Sequence, residues 1–213
     1  MSRVQNNNQL ICSRYADKIN LVCEYISKHL DENLSVDFIG SSFGCNQQLL
    51  NFWLSSNYQL ARIGFNQDAA SGEHSALVLT ALSNKADALL STINREFYQS
   101  FPYLLGDEYR QLADPLVWLI LNNSPKAYLP KLTPSNINSV KSFADKQRLY
   151  SSCAYSLHLW LLHQFSAPFD EKLLPILARL LKRNPIEQVC SSYQLNGKKA
   201  LNQLMLDYVN KQI

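Results

Sequence analysis

VDFIGSSFGCNQQLLNFWL, residues 36–54, is the segment on which the choice of fold class turns. Read for period, Leu34 to Phe43 and Asn46 to Ser55 are two short helical segments on either side of Gly44. Upstream, Ile19, Val22, Cys23, Ile26 and Leu30 form a stripe at helical spacing, broken by Asp31-Glu32-Asn33. Downstream, a Gly64–Gly72 loop precedes a longer helix marked by Leu82, Ala86, Leu89, Ile93 and Phe97. Phe101-Pro102 predicts its end, because proline disfavours helix for the residue before it. The next predicted helix runs from Glu108 to Leu121.

Residues Asn122 to Asn138 carry Pro125, Pro130 and Pro134 and read as a linker, with a joint near 124–135. Ser135 and Ser139 are the candidate caps of the helix that follows. Leu149 to Phe165 is apolar on nearly all sides, which predicts a central buried helix. Asp170 caps the next helix, whose stripe is Leu173, Leu174, Leu177, Leu180 and Leu181. A last helix follows Gly197, with Ala200, Leu201, Leu204, Tyr208 and Val209 on one face. No segment shows sustained alternation and no repeat period emerges. The expected fold is all-α: a flexible stretch over 1–14, then one helical domain over 15–213.

The 213 residues are 46% apolar and 17% charged, with 6 Gly and 8 Pro, which excludes disorder and collagen-like sequence. The longest apolar stretch, Tyr150 to Phe165, is about one turn short of a membrane span. MSRVQNNNQL lacks an apolar signal core, so a cytoplasmic protein is expected. The five cysteines (Cys12, Cys23, Cys45, Cys153, Cys190) include no C-x-x-C pair and read as reduced, buried thiols. Charge is divided: residues 1–123 hold 8 Lys/Arg against 12 Asp/Glu (net −4), residues 124–213 hold 12 against 5 (net +7). Such asymmetry suits either an acidic partner or a solvated face.

Chemistry-bearing patterns are sparse. His158 and His163 are five apart and do not share a helix face as a metal-binding pair would. Gly72-Glu73-His74-Ser75 puts a base beside a hydroxyl, yet reads better as a helix start. Asn196-Gly197-Lys198-Lys199 lacks the earlier glycine and the Ser/Thr of a phosphate loop. The acidic pairs Asp31-Glu32, Asp107-Glu108 and Asp170-Glu171 fall at predicted helix ends. No catalytic residue, metal ligand or cofactor is assigned, and a non-enzyme is expected.

Two resemblances bear on function. Residues 15–54 resemble the first DNA-binding half of AraC-type transcription regulators: YADKINLVCEYISKHLDENLSV as lead helix, VDFIGSSFGCNQQLLNFWL as helix-turn-helix. That resemblance implies DNA contacts from Asn46, Gln47, Gln48 and Asn51. No second helix-turn-helix follows in 55–115, and no Lys or Arg lies between Lys28 and Arg62 to hold a duplex. The whole chain resembles the small cytoplasmic adaptor, the K component, of type III secretion systems. FPYLLGDEYRQLA, RLYSSCAYSLHLWLL, LLPILARLLKRNP and KKALNQLMLDYVNKQ follow that family's order of segments. The adaptor resemblance implies no active site, binding to a platform protein and to an inner-membrane ring protein, and a location at the inner face of the membrane through that partner. Nucleic acid is then not the expected partner. A third reading keeps a degenerate helix-turn-helix as a protein-binding module. On the adaptor reading the partner surface is Arg179, Lys182 and Arg183, opposite the leucine stripe, with Lys198 and Lys199 on the last helix.

Overall fold

The computed structural model describes residues 36–165 and 169–213, together with Leu21. The stripe at Ile19–Leu30, the stretch 1–14, and Cys12 and Cys23 lie outside the described residues. The chain runs β1 (Phe38–Gly44), α1 (Gln47–Ser55), β2 (Gln59–Gln67), β3 (His74–Ala81) and α2 (Asn84–Leu104). It continues through α3 (Asp114–Asn122), a 3-10 turn (Lys126–Tyr128), α4 (Pro134–Ala144) and α5 (Tyr150–Leu162). A second 3-10 turn (Glu171–Leu173), α6 (Leu174–Leu180), α7 (Ile186–Ser192) and α8 (Gly197–Gln212) complete it.

The architecture is mixed α/β, which corrects the all-α expectation. Three strands form an antiparallel sheet in the order β1-β3-β2. The first arm of the supposed helix-turn-helix is β1, paired along its length with β3 from Phe38 opposite Ala81 to Gly44 opposite Ser75. Local propensity favours this outcome. Gly40, inside the expected helix, costs it about 1 kcal/mol, and Ser41 and Ser42 add little to one. Bare backbone at Gly40 also admits the neighbouring strand, since a Cβ there would stand 2.7 Å from the Val78 carbonyl oxygen.

Strand β2 is hidden from a period-two reading because it is irregular. Its register against β3 shifts between Leu60 and Arg62 and again between Ile63 and Gln67. Three of its carbonyls are taken by side chains. Asn94 Nδ2 donates to Leu60 O at 2.9 Å, Tyr109 Oη to Ile63 O at 2.8 Å, and His74 Nδ1 to Gly64 O at 2.8 Å. The β2–β3 turn is fastened by Asp68, whose carboxylate accepts from the Ala70 and Ser71 amides, and closes through Gly72 at φ +69°.

Helix α2 is capped by Ser83 and runs through Pro102 to Leu104, so Phe101-Pro102 does not end it. Pro102 lies in the last turn, where Phe101 and Pro102 are both buried. The buried face is Ala86, Leu90, Asn94, Phe97, Tyr98 and Phe101, whereas Leu82 and Leu89 stay exposed. The chain turns through 105–113 before α3, whose first turn holds Asp114 and a proline. Residues 122–138 are structured: the 3-10 turn is followed by α4, which starts from Thr133 and Asn136 in a reciprocal capping box. Ser135 and Ser139 therefore lie inside α4 and do not cap it.

Buried side chains from Cys45 to Val209 form one apolar cluster. Its centre in the helical part is α6 rather than α5. Leu174, Pro175, Ile176, Leu177, Ala178 and Leu180 are all buried, and α6 packs against α3, α5, α7 and α8. Helix α5 buries Cys153, Ser156, Leu157 and residues 159–162, but leaves Tyr155 exposed and His158 half-buried.

Beyond α6 the chain turns on a buried ion pair. Lys182 Nζ lies 2.5 Å from Asp114 Oδ1 and 2.7 Å from Leu112 O, and Tyr193 Oη donates to Asp114 Oδ2. The side chains of Lys182 and Asp114 are 6% and 14% exposed. Burial and the hydrogen bond to the carboxylate raise the Tyr193 phenol far above its ordinary range, keeping it a donor. This corrects the placement of Lys182 on an outer face: its stem passes through the core, and its ammonium group meets Asp114 at the start of α3. Removing one partner strands the other charge in the interior. Lys182→Ala and Asp114→Ala should each cost about 3–5 kcal/mol in urea unfolding, and the double variant Asp114→Leu/Lys182→Met should cost less than either. A loss under about 1 kcal/mol for Lys182→Ala would remove this pair from the account.

Candidate functional site

At the end of the sheet, β1, α1 and the start of β3 bring together Cys45, Asn46, Glu73 and His74. Asn46 caps α1 by accepting from the Leu49 amide and donates its amide to Glu73 Oε1 at 3.3 Å. Gln47, Gln48 and Asn51 are exposed on α1. With a strand in place of the first helix, these four residues do not form a helix-turn-helix reading head. Gly72-Glu73-His74-Ser75 enters a strand, not a helix, and His74 is buried with Nδ1 donating to Gly64 O and Nε2 without a hydrogen-bond partner. Burial, with the Glu73 carboxylate adding to it, pushes the Cys45 thiol up to about 12, so it stays protonated at neutral pH. Cys45, Cys153 and Cys190 are free, buried thiols. Among the described residues no group of three or more His, Cys, Asp or Glu could hold a metal ion.

A different set of residues converges between the end of α2, one face of α5 and the end of α6. They line a cleft of about 610 Å³ that includes Tyr103, Tyr150, Tyr155, His158, Arg179 and Arg183. No Asp or Glu is among its lining residues. Helix α2 brings Gln99, Pro102 and Tyr103, and α5 brings Tyr150, Ala154, Tyr155 and His158. Tyr103 and Tyr155 stand 74% and 71% exposed.

The two arginines are held differently. Arg179 projects from the otherwise buried α6, with its guanidinium carbon 5.0 Å from the centre of the Tyr150 ring and Nη1 donating to Asn184 O at 2.9 Å. Arg183 follows in the turn after α6, exposed, at φ +57°. That left-handed conformation costs a side-chain-bearing residue about 1–2 kcal/mol and is the usual place for glycine after a helix. The neighbouring buried ion pair of Lys182 holds the turn. Gly106 makes room for Arg183, since a Cβ there would lie 3.3 Å from Arg183 Cδ.

His158 completes the cleft as a neutral acceptor. Its Nδ1 donates to Leu180 O at 3.1 Å, which leaves Nε2 without the proton. Burial holds its pKa below the ordinary value; the hydrogen bond to Leu180 opposes this and the charge of Arg183 assists it. The tyrosines raise the Arg179–Arg183 pair from a charged edge to a mixed aromatic and basic surface, and the sequence reading missed them. Tyr103 and Tyr155 belong to no periodic pattern; the available signal was a large aromatic ring on an exposed helix position. Lys198 and Lys199 are exposed at the start of α8 and do not line the cleft. His163 is also elsewhere, with Nε2 2.8 Å from Pro130 O.

Comparison with known proteins agrees with a sheet-plus-helices reading. The family GNAT acetyltransferase 2 matches residues 4–83, ending at the Ser83 cap of α2. The chain is 28% identical over 193 residues to the tRNA(Met) cytidine acetyltransferase TmcA of Nitrosococcus halophilus, covering 84% of this chain and 26% of the relative. It is 26% identical over 198 residues to the Vibrio cholerae protein of that name, covering 90% and 25%. The Methanopyrus kandleri protein is 31% identical over 119 residues, covering 55% and 14%. The chain thus spans about a quarter of the length of these relatives, or less.

These similarities overturn the secretion-adaptor and AraC resemblances. The expectations of a non-enzyme, of platform and ring partners, and of no dealing with nucleic acid fall with them, because the relatives are named for acetyl transfer to tRNA. The placement at the membrane face loses its support as well. Among the described residues no helix is long and apolar enough to cross a membrane.

Two outcomes follow from the cleft's geometry. Arg183→Gly relieves the left-handed strain and should raise stability by about 0.5–1 kcal/mol in urea unfolding; a destabilisation of that size would show that the Arg183 side chain holds the turn. His158 is depressed in the folded state, so the unfolded chain binds more protons below about pH 6.5 and stability falls as pH drops. His158→Gln should therefore lose less stability than the parent between pH 7 and pH 5, and equal losses would contradict the assignment.

Proposed function

We propose that this chain is the tRNA-engaging part of a cytoplasmic tRNA cytidine acetyltransferase. The sheet lies in the acetyltransferase-like stretch, and the helical part holds the RNA substrate. The observation that carries the reading is the tyrosine-lined cleft with two arginines and no acidic side chain, in a chain similar to tRNA acetyltransferases through both of its parts. Arginines supply the phosphate contacts that dominate RNA affinity.

Helix α2 supplies the mechanical link. Near its middle Asn94 bonds the irregular strand β2, and at its end Gln99, Pro102 and Tyr103 line the cleft. Just beyond, Tyr109 bonds Ile63 of the same strand, and Gly106 backs Arg183. RNA seated in the cleft is thereby held at a fixed distance from the sheet. Acetyl transfer between two bound partners needs that fixed placement, since orientation replaces a bimolecular search.

Binding of tRNA(Met) measured between about 50 and 200 mM salt tests the reading. The expected result is a log–log salt dependence whose slope shrinks by about 1 in Arg183→Gln, the loss of one phosphate contact. Absence of tRNA binding at the lowest salt, or a slope unchanged in the variant, would overturn it.

A further inference from the structure

We propose that the cleft between α2, α5 and α6 takes an unpaired, unstacked stretch of RNA, whose bases stack on Tyr103 and Tyr155 while the phosphate lies on Arg183. This rests on the reading that the chain holds RNA, and it names which part of an RNA the site selects. Four observations support it.

The first is shape. A duplex is met by shape and by backbone contacts spread along its grooves, whereas splayed-out bases are met by concave sites with aromatic walls. The cleft is concave, and at about 610 Å³ it has the volume of a small-molecule site rather than of a duplex-binding face. The second is exposure. Tyr103 and Tyr155 are largely exposed residues that also line a cavity, the form that stacking platforms for single strands take.

The third is the placing of charge. Arg179 is engaged by the Tyr150 ring and Asn184 O, so it stiffens the wall, while Arg183 is exposed and free of any acidic neighbour in the lining. One available guanidinium suits a phosphate between two nucleotides. The fourth is the neutral acceptor. His158 offers Nε2 as an unprotonated acceptor, suited to a 2′-hydroxyl or to the exocyclic amine of a base. An ionised carboxylate of an acidic partner would pair with the arginine but, being an acceptor only, could not also engage His158 Nε2.

The test uses the 213-residue chain with three probes: a single-stranded RNA 12-mer carrying 2-aminopurine, the same 12-mer annealed to its complement, and polyglutamate as competitor. The single strand should bind at least 10-fold tighter than the duplex, with its fluorescence quenched by stacking. Tyr103→Ala and Tyr155→Ala should each weaken the single strand by about 5- to 100-fold while leaving the melting temperature unchanged. Tyr103→Phe and Tyr155→Phe should restore both affinity and quenching. Equal binding of single strand and duplex, unquenched fluorescence, full affinity in both alanine variants, or displacement by polyglutamate at matched charge would overturn the proposal. If tRNA still binds with an Arg183-dependent salt slope in those cases, the RNA-holding function survives and only this selectivity fails. If no RNA binds, both fail together.

Discussion

The buried contact between Lys182 and Asp114 is the constraint on which the helical part depends. It ties the chain leaving α6 to the first turn of α3, and Tyr193 adds the end of α7 through the other carboxylate oxygen. A buried ion pair is weak evidence for stability in itself, because desolvation cancels much of the attraction. Its value here is positional. Asp114 sits where the α3 dipole favours an anion, Lys182 satisfies Leu112 O as well, and the intervening backbone has one arrangement that serves all three. In that arrangement Arg183 takes the left-handed conformation and turns toward Gly106 and the cleft. Strain at Arg183 is maintained by the burial of its neighbour.

The same logic governs the sheet. Strand β2 is irregular at two places, and the carbonyls at Leu60, Ile63 and Gly64 find partners in Asn94, Tyr109 and His74. Buried carbonyls need partners, so the irregular strand and the helix beside it specify each other. Helix α2 is long enough, at 21 residues, to bond the sheet with one part and wall the cleft with another. On the proposed reading, this rigid connection between a strand layer and a basic, aromatic cleft fixes where a bound RNA lies relative to the sheet.

The sequence disclosed α5, α6 and α8 better than the sheet, whereas the short α7 between them carries too few apolar positions to mark a period. Runs such as Leu173–Leu181 are apolar at helical spacing and bury as helices do. The strands were concealed for separate physical reasons. In β1, Ile39 and Phe43 are four apart, and glycines and serines remove the alternation that would have marked the strand. In β2 the register shift puts buried Leu60 and Ile63 three apart, a helical interval. In β3 apolar residues occupy both faces, so Ala76 and Val78 do not stand out from Leu77 and Leu79. Of the site, Arg179 and Arg183 were legible as charge, whereas Lys182 beside them is a core residue. Nothing in spacing distinguishes the three, because the difference lies in Asp114, 68 residues away. The tyrosines and His158 meet only in three dimensions, from α2 and α5.

Photochemical cross-linking of tRNA(Met) to the intact chain, with the linked peptides mapped by mass spectrometry, locates the RNA on the protein. Cross-links are expected on peptides containing Tyr103, Tyr155 or the 179–183 turn, lost when Lys182 is replaced and the turn is released. Cross-links confined to α1, around Asn46 to Asn51, or to Lys198 and Lys199 on α8 would contradict this placement.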